Sequence, residues 1–468
     1  MSDKESDRYI MYALVAWVVS CILPAIGMLM QFPAIAYLVW KCNMKGVPAI
    51  MLLMLGRGNV RVFQSSALAI RLGITFTPSS WFVCVAFIFV MIQLLKGKYD
   101  QSAKLFSFVW LLAAIPASIM SFTAKSNGVS GVWSKPIMDF LVPSVYFWAI
   151  SMGATYEESK EYFISRLAYL LLAVNLFSLF PVIYIFSFSY MCGALCLGIY
   201  LVSNGEYRKS RMLGLMLISG SFLTIMFSRY LVMRQSGVDI AAIDERGDTI
   251  SRMTIYIFAA ALAVAFGKHM VLKGILRILP ILMVAANLLL VSFVVTKQQG
   301  VNAEDTDSKY ETFEERVRWK LYGDRGFVWS MGWEEVRTPP YFIKDLREFM
   351  AIAIDGKYGT KMLPHNQYLT LIGRDGWWLG LVLSLFIIWV EMRAFGVIAK
   401  ESDQFMLWVM MPLSAAVFCI VGTTGQSVVT ADLWANALVC IVFPGVIYGN
   451  WLERKKWGFG RAVAWRDW

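Results

Sequence analysis

Apolar blocks of about 20 residues recur along this chain with short charged runs between them, and that rhythm limits the fold more than any single motif. A bilayer core of ~30 Å is crossed by about 20 helical residues. A water-soluble core would interrupt such blocks with polar positions at helical or strand period. Hydrophobic residues fill 58% of the 468 positions and charged residues only 16%, against about a quarter in soluble domains. Mean hydropathy is +0.59. The expected fold is an all-α polytopic membrane protein.

The formal net charge of +11 could suggest a nucleic-acid surface, but the basic residues do not form one patch. Lys96, Lys98 and Lys104 share one short connection, Arg208, Lys209 and Arg211 a second, and Lys268, Lys273 and Arg277 a third. Arg454, Lys455, Lys456, Arg461 and Arg466 fill the C-terminal tail. Basic clusters flanking apolar spans mark the cytoplasmic side, so no nucleic-acid partner is expected. With the tail inside, spans read backwards near 429–448, 405–421, 376–395, 279–295, 253–267, 212–228, 187–202, 167–184, 137–154, 103–122 and 79–95. This threading puts every basic cluster on one face.

The first 75 residues are less regular. Residues 10–40 read as one long helix or as a hairpin broken at Pro24 or Pro33. The polar start followed by an apolar stretch, with no small-residue cleavage pattern, reads as an uncleaved first helix. The side of the N-terminus stays open. The expectation is about 12 or 13 transmembrane helices with one large, partly helical periplasmic loop. Residues 1–296 form an N-terminal bundle, 297–375 the loop, and 376–468 the last helices and a basic tail. A second polar insert is expected at 229–252.

Chemistry is expected in the long loop, because binding and catalytic groups concentrate on loops held by a rigid scaffold. His365, one of two histidines, lies in Leu363-Pro364-His365-Asn366-Gln367-Tyr368-Leu369. Asn366 can cap a short helix ending at Gly373. That places His365 at a positive helix end, which favours neutral imidazole, the form able to take a proton. A histidine that only hydrogen-bonds the loop is the alternative. Arg325 and Trp329, four positions apart on one helical face, suit a sugar phosphate: the guanidinium forks onto phosphate and the ring stacks on the sugar. A loop salt bridge is the alternative. Arg229 and Arg252 belong at the outer ends of two spans, where arginine also snorkels; with Arg325 they would form an anion site. No metal site is expected: six of the seven cysteines fall inside apolar runs and none in the long loop. No Gly-rich phosphate loop is present. Few ionisable residues lie mid-span, Asp139 and Asp432 near outer helix ends being the main exceptions, which weakens a proton-coupled transporter.

Pro364-His365-Asn366-Gln367-Tyr368-Leu369, followed by Gly373-Arg374-Asp375-Gly376-Trp377-Trp378-Leu379-Gly380, resembles the block that closes the periplasmic loop in the O-antigen ligase and O-antigen polymerase superfamily. Arg325 to Trp333 resembles that family's arginine–tryptophan element. Ser251-Arg252 resembles its helix-opening serine–arginine pair, with Ser228-Arg229 as the competing match. The motifs cover about residues 225–380. One departure is the glycine-rich segment usual between the arginine and the histidine, where Thr338-Pro339-Pro340-Tyr341-Phe342 stands instead.

The resemblance implies a metal-independent inverting glycosyltransferase of the bacterial inner membrane, without cofactor. Its donor would be an undecaprenyl-pyrophosphate-linked glycan, and its acceptor another glycan or lipid A-core. By carry-over His365 activates the acceptor hydroxyl and Arg325 and Arg252, or Arg229, hold the departing pyrophosphate. Asn366, Tyr368 and Trp329 would contact glycan or acceptor. Polymerase and ligase are not separated by these residues. A transporter of lipid-linked sugars and a non-catalytic scaffold of a polysaccharide assembly complex are the competing classes.

Overall fold

The computed structural model describes residues 1–54, 78–97, 141–178, 188–205, 208–235, 245–268, 273–298, 329–330, 333, 366–398, 403–418 and 438–458. Among them the regular structure is entirely helical. In chain order the helices are α1 Asp3–Ile22, α2 Pro24–Lys41, α3 Val47–Leu53, α4 Pro78–Leu95, α5 Pro143–Gly153, α6 Tyr156–Ser178 and α7 Phe188–Asn204. There follow α8 Arg208–Gln235, α9 Glu245–Gly267, α10 Lys273–Gln298, α11 Gln367–Ile398, α12 Met411–Ala416 and α13 Phe443–Gly458. π-Helical turns lead into the last two, Met406–Met410 before α12 and Leu438–Val442 before α13. Pro78–Leu95, Arg208–Phe227 and Gly380–Ile398 are long and apolar enough to cross a membrane.

Residues 10–40 form the hairpin, not one helix. Leu23 leaves the helical region at φ −128° and ψ 79°, as a residue before proline tends to. Pro24 then opens α2, where its missing N–H costs little. Pro33 stays inside α2. The Tyr12 hydroxyl donates to the Met30 carbonyl at 3.0 Å and Tyr37 reaches back to Glu5, closing the hairpin.

Side-chain pairs show which helix ends meet. Asp3 binds Lys45 at 2.5 Å, and Asp7 accepts two hydrogen bonds from Arg166, at 2.8 and 2.9 Å, and one from Tyr162 at 2.7 Å. Asp403 accepts from Lys160 and, at 3.1 Å, from Tyr156. Glu157 accepts from Asn450 and Arg454 Nε, each at 3.1 Å. The N-terminal turn, the start of α6, the 403–406 corner and the end of α13 therefore share one end of the bundle. The C-terminal ends of α7, α9 and α11 lie at that same end, since Tyr200 packs on Phe405, Phe266 on Phe395 and Gly267 on Trp408. Tyr162 and Arg166 hold the Asp7 carboxyl below the ordinary carboxylate range, and burial together with Asp7 pushes the Tyr162 hydroxyl up to about 12.

Outward faces are apolar and inward faces carry the polar groups. On α10 Asn287 is 5% exposed, while its neighbours Leu288 and Leu289 are 52% and 71% exposed. On α8 Ser221 and Thr224 are buried whereas Phe222, Leu223 and Phe227 are open. That pattern suits a hydrocarbon solvent and not water. Glycines let helices approach closely: a Cβ on Gly198 of α7 would lie 2.8 Å from the Gly214 carbonyl oxygen of α8. On the α5–α13 contact a Cβ on Gly445 would lie 2.6 Å from Ala149 Cβ. Small residues at such crossings replace the hydrophobic drive that lipid cannot supply.

Three boundaries differ from the sequence reading. The 229–252 insert is largely helix, because α8 continues to Gln235 and α9 begins at Glu245. The polar stretch expected to end at 375 already turns helical at Gln367. The helix capped by Asn366 does not stop at Gly373 but runs 32 residues to Ile398, since the apolar contacts of its second half outweigh the local glycine penalty.

Candidate functional site

At the opposite end of the bundle, α10 arrives and α11 departs. Asn366 stands at the entry to α11, buried, with its Oδ1 accepting the backbone N–H of Tyr368 at 3.0 Å and of Leu369 at 3.2 Å. These are two of the donors a helix start leaves without intrahelical partners. Its Nδ2 donates to Asn287 Oδ1 of α10 at 2.9 Å, and Asn287 is buried as well. One side chain thus caps the helix and ties it to a neighbour. The residue immediately before it in sequence is His365.

Trp329 packs on the same corner. It is fully buried with Val291 and Leu369, and Leu290 and Ile372 close the cluster. Its indole N–H is buried without a hydrogen-bond partner, a state that costs free energy unless a ligand or water accepts from it. Trp333, one turn on, is 40% exposed. Tyr368 is buried beside Leu369. The structure therefore brings Trp329, Asn366 and Leu369 together against α10, while for Tyr368 it shows burial and the backbone bond to the cap.

The two span-end arginines occupy neighbouring helices. Ile225 of α8 and Tyr256 of α9 share an apolar cluster with Met191 and Leu195 of α7. The Tyr256 hydroxyl meets Ser221 Oγ at 2.6 Å and donates to the Ile218 carbonyl at 3.0 Å. Arg229 lies one helical turn beyond Ile225, and Arg252 one turn before Tyr256. Because α8 and α9 run in opposite directions, both positions fall at the end that carries Asn366. His365 and Arg325 lie outside the described residues, as do Asp139, Asp432 and the 338–342 segment.

Among the described residues no group of three or more His, Cys, Asp or Glu could hold a metal ion. Cys192 and Cys196 are free and buried, the Cys196 thiol donating to the Ala259 carbonyl of α9 at 3.8 Å. Two polar groups escaped the sequence reading. Asn287, within Met283-Val284-Ala285-Ala286-Asn287-Leu288-Leu289-Leu290, supports the cap; Glu391, within Trp389-Val390-Glu391-Met392, is buried in the bundle. A lone amide or acid in an apolar block was the available signal for both. No family model, curated protein or solved structure matches the chain.

Proposed function

We propose that this chain is a polytopic inner-membrane glycosyltransferase that moves a glycan from undecaprenyl pyrophosphate to an acceptor hydroxyl on the periplasmic side. The observation that carries the reading is the Asn366 corner. There the capped start of α11, the Asn287 amide and the buried Trp329 meet, at the bundle end shared by Arg229 and Arg252, and His365 is the next residue back in sequence. The opposite end holds the basic end of α13, with Arg454, Lys455 and Lys456, and the starts of the basic connections at Lys96, Arg208 and Lys268, which fits the cytoplasmic face. On this topology the N-terminal turn is cytoplasmic too, since Asp7 is bound to Arg166 and Asp3 to Lys45 there. This reading keeps the count of about 12 or 13 spans expected from the apolar blocks of the sequence.

In the reaction the acceptor oxygen attacks the anomeric carbon from the face opposite the leaving group, and configuration inverts. His365 takes the hydroxyl proton. The bond between the anomeric carbon and the pyrophosphate oxygen breaks, and the charge growing on the diphosphate is held by Arg325 with Arg252 or Arg229. Asn366 is a positioning residue, because its polar atoms are already committed to the cap and to Asn287. The unpartnered Trp329 indole N–H is available to a glycan or acceptor oxygen. Extracytoplasmic chemistry lacks ATP, and a lipid pyrophosphate carries its own activation.

A second reading, a transporter of lipid-linked sugars, gains from Glu391, an ionisable group inside a span. Separate His365→Ala, Arg325→Ala and Arg252→Ala variants in a strain lacking the native gene distinguish the two. With membrane levels confirmed, surface glycan is compared with lipid-linked glycan. Loss of surface glycan with periplasm-facing undecaprenyl-linked material accumulating supports transfer. Single repeats then indicate a polymerase, and long chains a ligase acting on lipid A-core. Accumulation on the cytoplasmic face indicates a transporter. Normal glycan in all three variants sinks the catalytic assignment and favours a scaffold.

A further inference from the structure

Glu391 is the one carboxylate among the described residues that the bundle buries completely. It lies in the second half of the long α11, near the middle of the Gly380–Ile398 stretch long and apolar enough to cross a membrane. One of its oxygens, Oε1, accepts the Ser414 hydroxyl of α12 at 2.7 Å. The other, Oε2, is buried with no hydrogen-bond partner. An ionised carboxylate in such a place requires a cation or several donors, because transfer of a bare charge into an apolar interior is prohibitive.

Among the described residues, the elements packed on this part of α11 supply no cation to Glu391. The 411–418 stretch, Met-Pro-Leu-Ser-Ala-Ala-Val-Phe, offers only the Ser414 hydroxyl. The π-helical turn Leu438–Val442 contributes Cys440, whose neutral thiol donates to the Ser414 carbonyl at 3.9 Å. On α13 the nearest titratable group is Tyr448, which accepts from Arg393 Nη1 at 3.2 Å. The apolar stretch Ile278–Phe293 of α10 contains no titratable residue. Arg393, two positions from Glu391 on α11, points to another face: its guanidinium lies 5.3 Å from the Trp389 ring and 5.5 Å from the Tyr448 ring. Successive even positions on a helix diverge by most of a half-turn, so this charge is spent elsewhere.

We propose that Glu391 is a proton-binding site inside the helix bundle, held as the neutral acid with Ser414 hydrogen-bonded to Oε1. Two π-helical turns flank Ser414: Met406–Met410 ends four positions before it in sequence, and Leu438–Val442 carries Cys440, which donates to its carbonyl. Such turns are strained and often accompany functional sites. Loss of the proton would leave a bare carboxylate between α11, α12 and the Leu438–Val442 turn, and these elements would have to separate or admit water. The site thereby links proton occupancy to the packing of the last three helices. It does not depend on the glycosyltransferase reading.

The test is infrared absorption of the full-length protein in lipid, wild type against Glu391→Gln, which keeps the size and the acceptor for Ser414. The expected result is a protonated-carboxyl C=O band at neutral pH, shifted in deuterium oxide and absent from the variant. A melting series adds a second readout. A site neutral when folded and ionised when unfolded loses stability as pH rises above about 4.3, the ordinary glutamate value. Wild type should therefore melt progressively below Glu391→Gln between about pH 5 and about pH 9, and together with it near pH 4. Absence of the band at neutral pH, or melting curves parallel at every pH, overturns the proposal. Stabilisation of wild type but not the variant by sodium over choline would replace it with a cation site.

Discussion

The two ends of the bundle use different chemistry to hold their helices. At the end containing both the N-terminal turn and the end of α13, the links are charged: Asp3 with Lys45, Asp7 with Arg166, Asp403 with Lys160 and Glu157 with Arg454. At the end carrying the sequence motifs, the described links are neutral: the Asn366–Asn287 amide pair, the Trp329 cluster and the Ser221–Tyr256 hydroxyl pair. Charged pairs at a wet end gain little individually and tolerate exchange. Neutral buried pairs have one geometry and leave the local field to other groups. On the proposed function this difference has a use, since fixed carboxylates at the motif end would repel a pyrophosphate.

The largest expected effect comes from forcing helices apart beneath both ends. Gly198→Leu places a side chain where even a Cβ meets the Gly214 carbonyl oxygen at 2.8 Å. Overpacking of this kind costs roughly 3 kcal/mol or more, so membrane abundance should collapse, whereas Gly396→Ala, with open space around its Cβ, should accumulate normally. Immunoblots of isolated membranes would read this directly.

Next is the most buried charged link. Asp403 is 2% exposed at its side chain, binds Lys160 and Tyr156, and caps its own helix through the Met406 N–H at 3.0 Å. Asp403→Ala should lower stability by about 3 kcal/mol, from the orphaned partners and the lost cap together. A loss under about 1 kcal/mol in detergent unfolding would place this link with the dispensable surface pairs.

A smaller effect is expected at the motif end. Asn287→Ala removes the partner of the cap and should cost about 1–2 kcal/mol of stability. A double-mutant cycle with Asn366→Ala should show coupling of about 1 kcal/mol. If glycan transfer falls further than abundance in Asn287→Ala, the amide pair positions the His365 segment. Equal falls would make it only a structural tie.

The smallest effect is at Asp7, whose side chain is 44% exposed. Its carboxyl is held below the ordinary range by Tyr162 and Arg166. The sign follows: the contribution is present above about pH 4 and is lost as pH falls through the lowered value. Asp7→Asn should therefore destabilise by under about 1 kcal/mol at neutral pH and match wild type in strong acid. Melting curves at the two pH values would expose a reversed or absent trend.

Helical class, the basic face and the position of Asn366 as a cap were readable in sequence, because each depends on local pattern: apolar block length, charge between blocks, and an amide at a helix start. Boundaries were less readable. Gly373 reads as a stop and Gly376 as the start of a new span, yet α11 runs through both, because tertiary contacts override propensity. Glu391 was missed although it is a lone acid in an apolar block, because its burial and its turn away from Arg393 depend on how α11 is rotated in the bundle.

What the sequence determined by itself is the solvent and the class of fold: long apolar blocks can bury their backbone polar groups in lipid only as helices. It also determined which end collects the positive charge. The tertiary structure alone decided which polar side chains meet across helices. Asn287 with Asn366, Glu391 with Ser414 and Asp403 with Lys160 are separated by 79, 23 and 243 positions. Pairing at such separations depends on helix rotation and neighbour choice, and these emerge only when side chains of the whole bundle pack together.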